Sequence, residues 1–171
     1  MKETIVDAVY KQNYNLLKYL EMQKEVSFQQ DMDNKLKKVL LVSAASFFET
    51  SITELLMNFF NVKAGNNPEI VAFLKNKAIS RQYHSYFDWE KSNINKFLGL
   101  FGEEFKKQAV KDIKEQELDQ SVKAFLTLGN LRNQLVHQNM ATFYIEQTSE
   151  EIYFLYKEAL KMISFIESKL S

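Results

Sequence analysis

The second half of this 171-residue chain holds a single histidine, His137, which follows an Arg132-Asn133 pair in the run Leu128-Gly129-Asn130-Leu131-Arg132-Asn133-Gln134-Leu135-Val136-His137-Gln138-Asn139. An imidazole titrates near neutral pH and can therefore exchange a proton under ordinary conditions. A guanidinium keeps its charge and offers an anion a planar fork of donors. Arg132 lies in the helical series Leu118, Val122, Phe125, Gly129, Arg132, Val136, whose other members are apolar or small. A cation on an inward-facing stripe is unfavourable unless it is paired, or unless the stripe opens onto a polar cleft or another subunit. Gly129, one turn earlier, weakens the helix but lets another backbone approach. A cation, a small residue and an imidazole so arranged mark an interface site rather than a core.

Other familiar chemistries are missing. The four glycines are isolated, so no loop cradles a phosphate. With no cysteine there is no thiolate ligand, cysteine nucleophile or disulfide. The two histidines, His84 and His137, stand far apart, outside any zinc-binding spacing. The pairs Glu103-Glu104 and Glu150-Glu151 read as solvated faces or helix starts. His84 is expected to serve packing or turn hydrogen bonds. Tyr86, Phe87 and Trp89 are expected to fill the core rather than stack on bases. Lys and Arg total 22 against 22 Asp and Glu, a formal charge of zero. Nucleic-acid contact therefore requires a local basic cluster or a partner chain that builds one. No apolar run is expected to reach the length of a bilayer span, and Met1-Lys2-Glu3-Thr4 lacks an apolar signal region. A cytoplasmic helical domain with no membrane contact is the expectation.

The elements that position the motif follow from pattern. One Pro and four Gly are too few for a sheet protein, which predicts all-α structure: a single helical bundle of about six to seven helices covering residues 1–171 as one domain. A first helix carries Ile5, Val9, Leu16, Leu17 and Leu20 and ends within Ser27 to Asn34, with Asp31 or Asp33 capping the next. Leu41, Ala45, Phe48, Ile52, Leu55 and Phe59 form the stripe of a central helix. It stops at Lys63-Ala64-Gly65-Asn66-Asn67-Pro68. Pro68 opens a third helix with Ile70, Val71, Leu74 and Ile79. Ser92 or Asn93 caps a short helix containing Ile94, Phe97 and Leu98, closed by Gly99 or Gly102. A charged helix runs from Glu103 to about Glu115, and a long one from Glu117 to about His137. Ala141 to Glu146 has the character of one short extended segment. Thr148 and Glu151 fit a capping box for the last helix, whose stripe is Ile152, Leu155, Ala159, Ile163, Ile166 and Leu170.

Arg132-Asn133-x-x-x-His137 resembles the Arg-x4-His signature of the HEPN superfamily of helical nucleases. Its flanks are similar to the RiboL-PSP-HEPN branch: Ala45-Ser46-Phe47-Phe48-Glu49, Phe87-Asp88-Trp89, Asn93-Ile94-Asn95-Lys96-Phe97, Phe125-Leu126-Thr127-Leu128-Gly129 before the motif, Phe143 after it, and Glu150-Glu151-Ile152. The likeness runs from about residue 36 to the C-terminus.

That resemblance implies a metal-independent endoribonuclease, acting in defence or as a toxin, with two motif helices meeting across a two-fold axis of a homodimer. It implies RNA as substrate, the RNA 2′-hydroxyl as nucleophile, His137 as general acid or base, Arg132 stabilising the phosphate, and Asn133 orienting His137 or holding the backbone. Glu49 resembles a recurring acidic position, either a partner for Arg132 or a structural ion-pair member. Lys123, Lys96, Arg81 and Lys91 are candidate phosphate contacts, each of which also reads as plain surface charge. No cofactor or metal is implied, and a toxin role brings a neutralising partner protein. Asn139 stands where some HEPN toxins carry a modified Tyr, which argues against that pairing. In an ideal helix Arg132 and His137 project about 140° apart, whereas Asn133 and His137 share a face, so the Arg must curl, the helix must end, or a symmetric mate must help. Two other readings stay open: a non-catalytic HEPN-type module that binds RNA, nucleotide or protein, and a structural helical scaffold.

Overall fold

The computed structural model describes residues 3–171. They form α1 Ile5–Met22, α2 Val26–Lys63, α3 Pro68–Leu74 continuing into a π-helical turn Lys75–Ile79, α4 Tyr83–Tyr86, α5 Asn95–Gly99, α6 Glu103–Glu115, α7 Asp119–His137 and α8 Ser149–Leu170. The all-α class is as predicted, and no strand occurs among the described residues. The α-helix count exceeds the expected six to seven because the aromatic stretch after Arg81 folds its own single turn, Tyr83–Tyr86. Ala141 to Glu146 is not a strand. Thr142 N and Phe143 N both donate to Asn139 O, at 3.1 and 2.9 Å, so the segment begins as a turn.

The first boundary is also corrected. α1 ends at Met22 and α2 begins at Val26, so Asp31 and Asp33 lie inside a helix and cap nothing at its start. The break rests on Lys24, held in the left-handed region at φ 59°. There Gln23, Lys24 and Glu25 donate to the carbonyls of Tyr19, Glu21 and Leu20, satisfying the last turn of α1. Asn66, Arg81 and Glu117 adopt the same conformation. Several helix ends thus close on residues other than glycine, which is how so glycine-poor a chain turns so often.

The chain divides into two compact units, Met1–Phe47 with Leu128–Lys157, and Phe48–Thr127 with Glu158–Ser171. In the first, the Thr4–Asp7 capping box starts α1, and the same Asp7 accepts from Tyr153 OH at 2.7 Å and Lys157 Nζ at 3.0 Å, which ties α1 to α8. Tyr10 stacks on Tyr153 at 3.9 Å between centroids. In the second unit Phe48, Phe87, Phe97 and Phe125 form an aromatic core, with Phe87 5.1 Å from Phe97 and 4.9 Å from Phe125. Ser121 Oγ donates to Glu158 at 2.6 Å and Lys169 pairs with Asp112. One stretch of α2 is, by length and composition alone, apolar enough to cross a membrane, where no such run was expected. Here it is the helix that buries Leu40, Leu41, Ala44, Phe48 and Ile52.

Candidate active site

α7 changes character along its length. Val122, Phe125 and Leu128 are at most 3 % exposed and Gly129 is buried, because their face packs inward. One turn later the same face has risen out of the protein: Arg132 is half-buried and Val136 is 50 % exposed. His137 is exposed and is the last residue of the helix. The stripe that made a cation unfavourable therefore does not stay buried, and the guanidinium sits where it can meet solvent or a ligand.

Arg132 Nη1 donates to Asn133 Oδ1 at 3.3 Å. Successive helical residues point about 100° apart, so Asn133 lies angularly between Arg132 and His137. The guanidinium is thus tied to a residue that shares a helix face with His137, about 40° from it. The amide steadies Arg132 rather than contacting the imidazole, which refines the part expected of Asn133.

The loop after the motif is held by one stretch of α2. Lys38 Nζ donates to Met140 O at 2.7 Å and to Ala141 O at 3.3 Å, and Lys37 Nζ to Ile145 O at 2.7 Å. Asp33, one turn before Lys37, accepts from the backbone N–H and hydroxyl of Ser149 at the start of α8. The Thr148–Glu151 capping box forms as predicted, with Glu151 N donating to Thr148 Oγ1 at 3.2 Å and Thr148 N to Glu151 Oε2 at 2.8 Å. Between this part of α2 and residues Asn139–Ile145 lies an open groove of about 880 Å³. Asp31, Lys35, Lys37 and Lys38 are its charged lining residues, three ammonium groups against one carboxylate. Asp31 and Lys35 pair with each other at 2.7 Å, which leaves the groove a local excess of positive charge from Lys37 and Lys38 in a chain of zero net charge.

Residues 9–171 match the family RiboL-PSP-HEPN. The chain belongs to this family. No curated protein and no solved structure matches it. As a RiboL-PSP-HEPN chain it is a nuclease-type or RNA-related module.

The other residues expected at a HEPN site fall in the second compact unit. Glu49, on α2, holds Oε2 3.9 Å from His84 Nε2, so its neighbour there is the imidazole. Lys96 on α5, Lys123 on α7 and Arg81 in the turn before α4 are exposed. Tyr86 and Phe87 are buried, and Trp89 Nε1 donates to His84 O at 2.9 Å, a packing and turn role for this stretch. Among the described residues no three His, Cys, Asp or Glu side chains gather as a ligand set. Sequence reasoning missed Lys35, Lys37 and Lys38, although the run Lys35-Leu36-Lys37-Lys38 stands directly before the central stripe. Lys37, one turn before Leu41, occupies a stripe position and is 5 % exposed. A lysine that continues an apolar series is the signal that would have found it.

Proposed function

We propose that this RiboL-PSP-HEPN chain is a metal-independent endoribonuclease that works as a homodimer, in defence or as a toxin. A single observation carries the reading: Arg132 donates to Asn133, which shares a helix face with the exposed His137. The RNA 2′-hydroxyl attacks the adjacent phosphorus and loses its proton to one imidazole. The bond to the 5′-oxygen breaks, that oxygen takes a proton from a second imidazole, and the products are a 2′,3′-cyclic phosphate and a 5′-hydroxyl. The two His137 side chains of a two-fold dimer divide these roles. Arg132 balances the charge that develops on the non-bridging oxygens. Self-association is supported by Val136 and Met140, apolar residues about half exposed on either side of His137.

The test is cleavage of RNA by the purified protein in excess EDTA. Wild type is expected to leave 2′,3′-cyclic phosphate ends, and His137→Ala and Arg132→Ala to lose the activity while keeping the helical circular dichroism of wild type. Cleavage that needs added metal, or that persists in His137→Ala, overturns the mechanism. RNA binding without cleavage by any variant favours the non-catalytic HEPN-type module instead.

A further inference from the structure

Two hollows in the unit that carries the motif share a wall. One is the groove beside the motif; the other, of about 660 Å³, lies among α1, the start of α2 and the start of α8. Asn34, Lys37 and Tyr144 line both, so Tyr144 stands on the rim between them. Its side chain is unusually open for an aromatic residue, with Tyr144 73 % exposed. The Lys37 ammonium lies over the ring, 5.2 Å from the centroid. That ammonium is itself buried and anchored on Ile145 O. A cation held beneath an aromatic ring, with most of the ring left to solvent, orients a flat apolar surface for a second planar group.

Charge decides which hollow the ligand follows. The 660 Å³ hollow sets Glu21, Asp33 and Glu150 against Lys18 and Lys37, which repels a phosphate chain. In the groove Asp31 pairs with Lys35 at 2.7 Å, which leaves the charges of Lys37 and Lys38 uncompensated. Asn139, two residues after His137, lines that groove, and two residues of chain span at most about 7 Å. The groove therefore begins within about 7 Å of chain from His137, within reach of a strand held at the motif.

We infer that Tyr144 is a stacking platform for an unpaired base of the RNA strand, with the neighbouring phosphate drawn to Lys38, the exposed ammonium of the groove that no carboxylate among the described residues pairs. The inference rests on the ribonuclease reading and gives its substrate a form, single-stranded RNA next to the cleavage point. Stacking accepts any base, since every base has a π-face, so the platform selects for an unpaired strand rather than for sequence.

The experiment measures binding of a fluorescein-labelled single-stranded oligoribonucleotide, and of the same strand in a duplex, to the full chain carrying His137→Ala so that nothing is cut. Adding Tyr144→Ala is expected to weaken single-strand binding about five- to a hundredfold and to leave duplex binding nearly unchanged. Tyr144→Phe, which keeps the ring, should stay within about twofold. Lys38→Ala should flatten the slope of log affinity against log salt by about 0.7 for one lost phosphate contact. Equal single-strand affinity for Tyr144→Ala and its parent overturns the platform even where wild type cleaves RNA. Failure of the wild type to cleave and of the parent to bind removes the ribonuclease reading, and the platform falls with it.

Discussion

Arg132 donates to the side-chain oxygen of its own chain neighbour, Asn133, at 3.3 Å. Adjacent residues on a helix diverge, so the contact needs the two side chains to lean together, and it ties the guanidinium to a residue that shares a face with His137. The amide thus acts on the guanidinium's position and leaves its charge alone. Asn133→Ala is expected to lower kcat for RNA cleavage about tenfold while KM changes little, because the arginine remains but samples more directions. Steady-state kinetics on one defined oligoribonucleotide separates the two constants. An unchanged kcat removes the positioning role.

Lys37 holds the loop that follows the motif, and it does so from a buried site. Replacing it by Met keeps the length and apolar stem but leaves the Ile145 carbonyl without that donor. An unsatisfied buried acceptor costs about 1–3 kcal/mol. Lys37→Met is expected to lower stability by that order and to open residues 139–148 to limited proteolysis before the helices are cut. Lys38→Ala, whose partners Met140 and Ala141 are exposed, should change stability far less. Equal proteolysis of wild type and Lys37→Met would show that the loop is held by other contacts.

Which of these features were legible in the sequence depends on what carries them. Apolar spacing carries α7 and α8, and the charged stretch read as a helix from Glu103 to about Glu115 coincides with α6. The capping box at Thr148 and the stop around Pro68 were legible because their residue types have few other uses. The end of α1 was not, since Lys24 closes it in a conformation that lysine seldom adopts. Arg132 and His137 were found by type and spacing, but the bend onto Asn133 is a side-chain torsion that no periodicity encodes. Tyr144 was read as part of an extended segment because its β-forming neighbours resemble a strand, whereas hydrogen bonds to Asn139 O turn the chain first.

Asp7 gives the fold a pH dependence. Burial pushes its carboxyl up, but donation from the Thr4 backbone, Tyr153, Lys157 and the Thr4 hydroxyl outweighs this and holds it well below the usual carboxylate range. A lowered folded pKa adds stability that is fully present above the unfolded value near 3.8 and drains away as pH falls further. On the other side, burial pushes the Tyr156 phenol up to about 12, and burial with the Asp7 carboxylate pushes Tyr153 up as well. Raised phenols stabilise the fold below pH 10 and cease to do so as alkali ionises them. Urea midpoints measured across pH should fall at both ends, and Asp7→Asn should flatten the acid side. At neutral pH Asp7→Ala is expected to cost about 1.5–3 kcal/mol, the usual loss for hydrogen bonds to a charged group. An acid limb as steep in Asp7→Asn as in wild type would assign the effect to other carboxylates.

The left-handed residues offer a change that should strengthen the protein. Glu117, at φ 55°, links α6 to α7, and Leu118 N beyond it donates to Ile113 O at 2.9 Å, closing the helix end. A side chain in this conformation costs about 1–2 kcal/mol, while glycine pays none of that but loses about 0.5–1 kcal/mol more chain entropy on folding. The difference favours glycine by about 0.5–1 kcal/mol, and for a chain of this size that raises the thermal midpoint by roughly 2–3 °C. Glu117→Gly is therefore expected to melt higher than wild type, as is Lys24→Gly at the end of α1. Glu115→Gly, at the last residue of α6, where the backbone is helical and the carboxylate lies 3.6 Å from the exposed Lys111, should melt lower. Opposite shifts at positions 115 and 117 separate a conformational effect from the loss of a negative charge, which both substitutions share. If both variants melt lower, the turn at Glu117 is not strained in the folded chain.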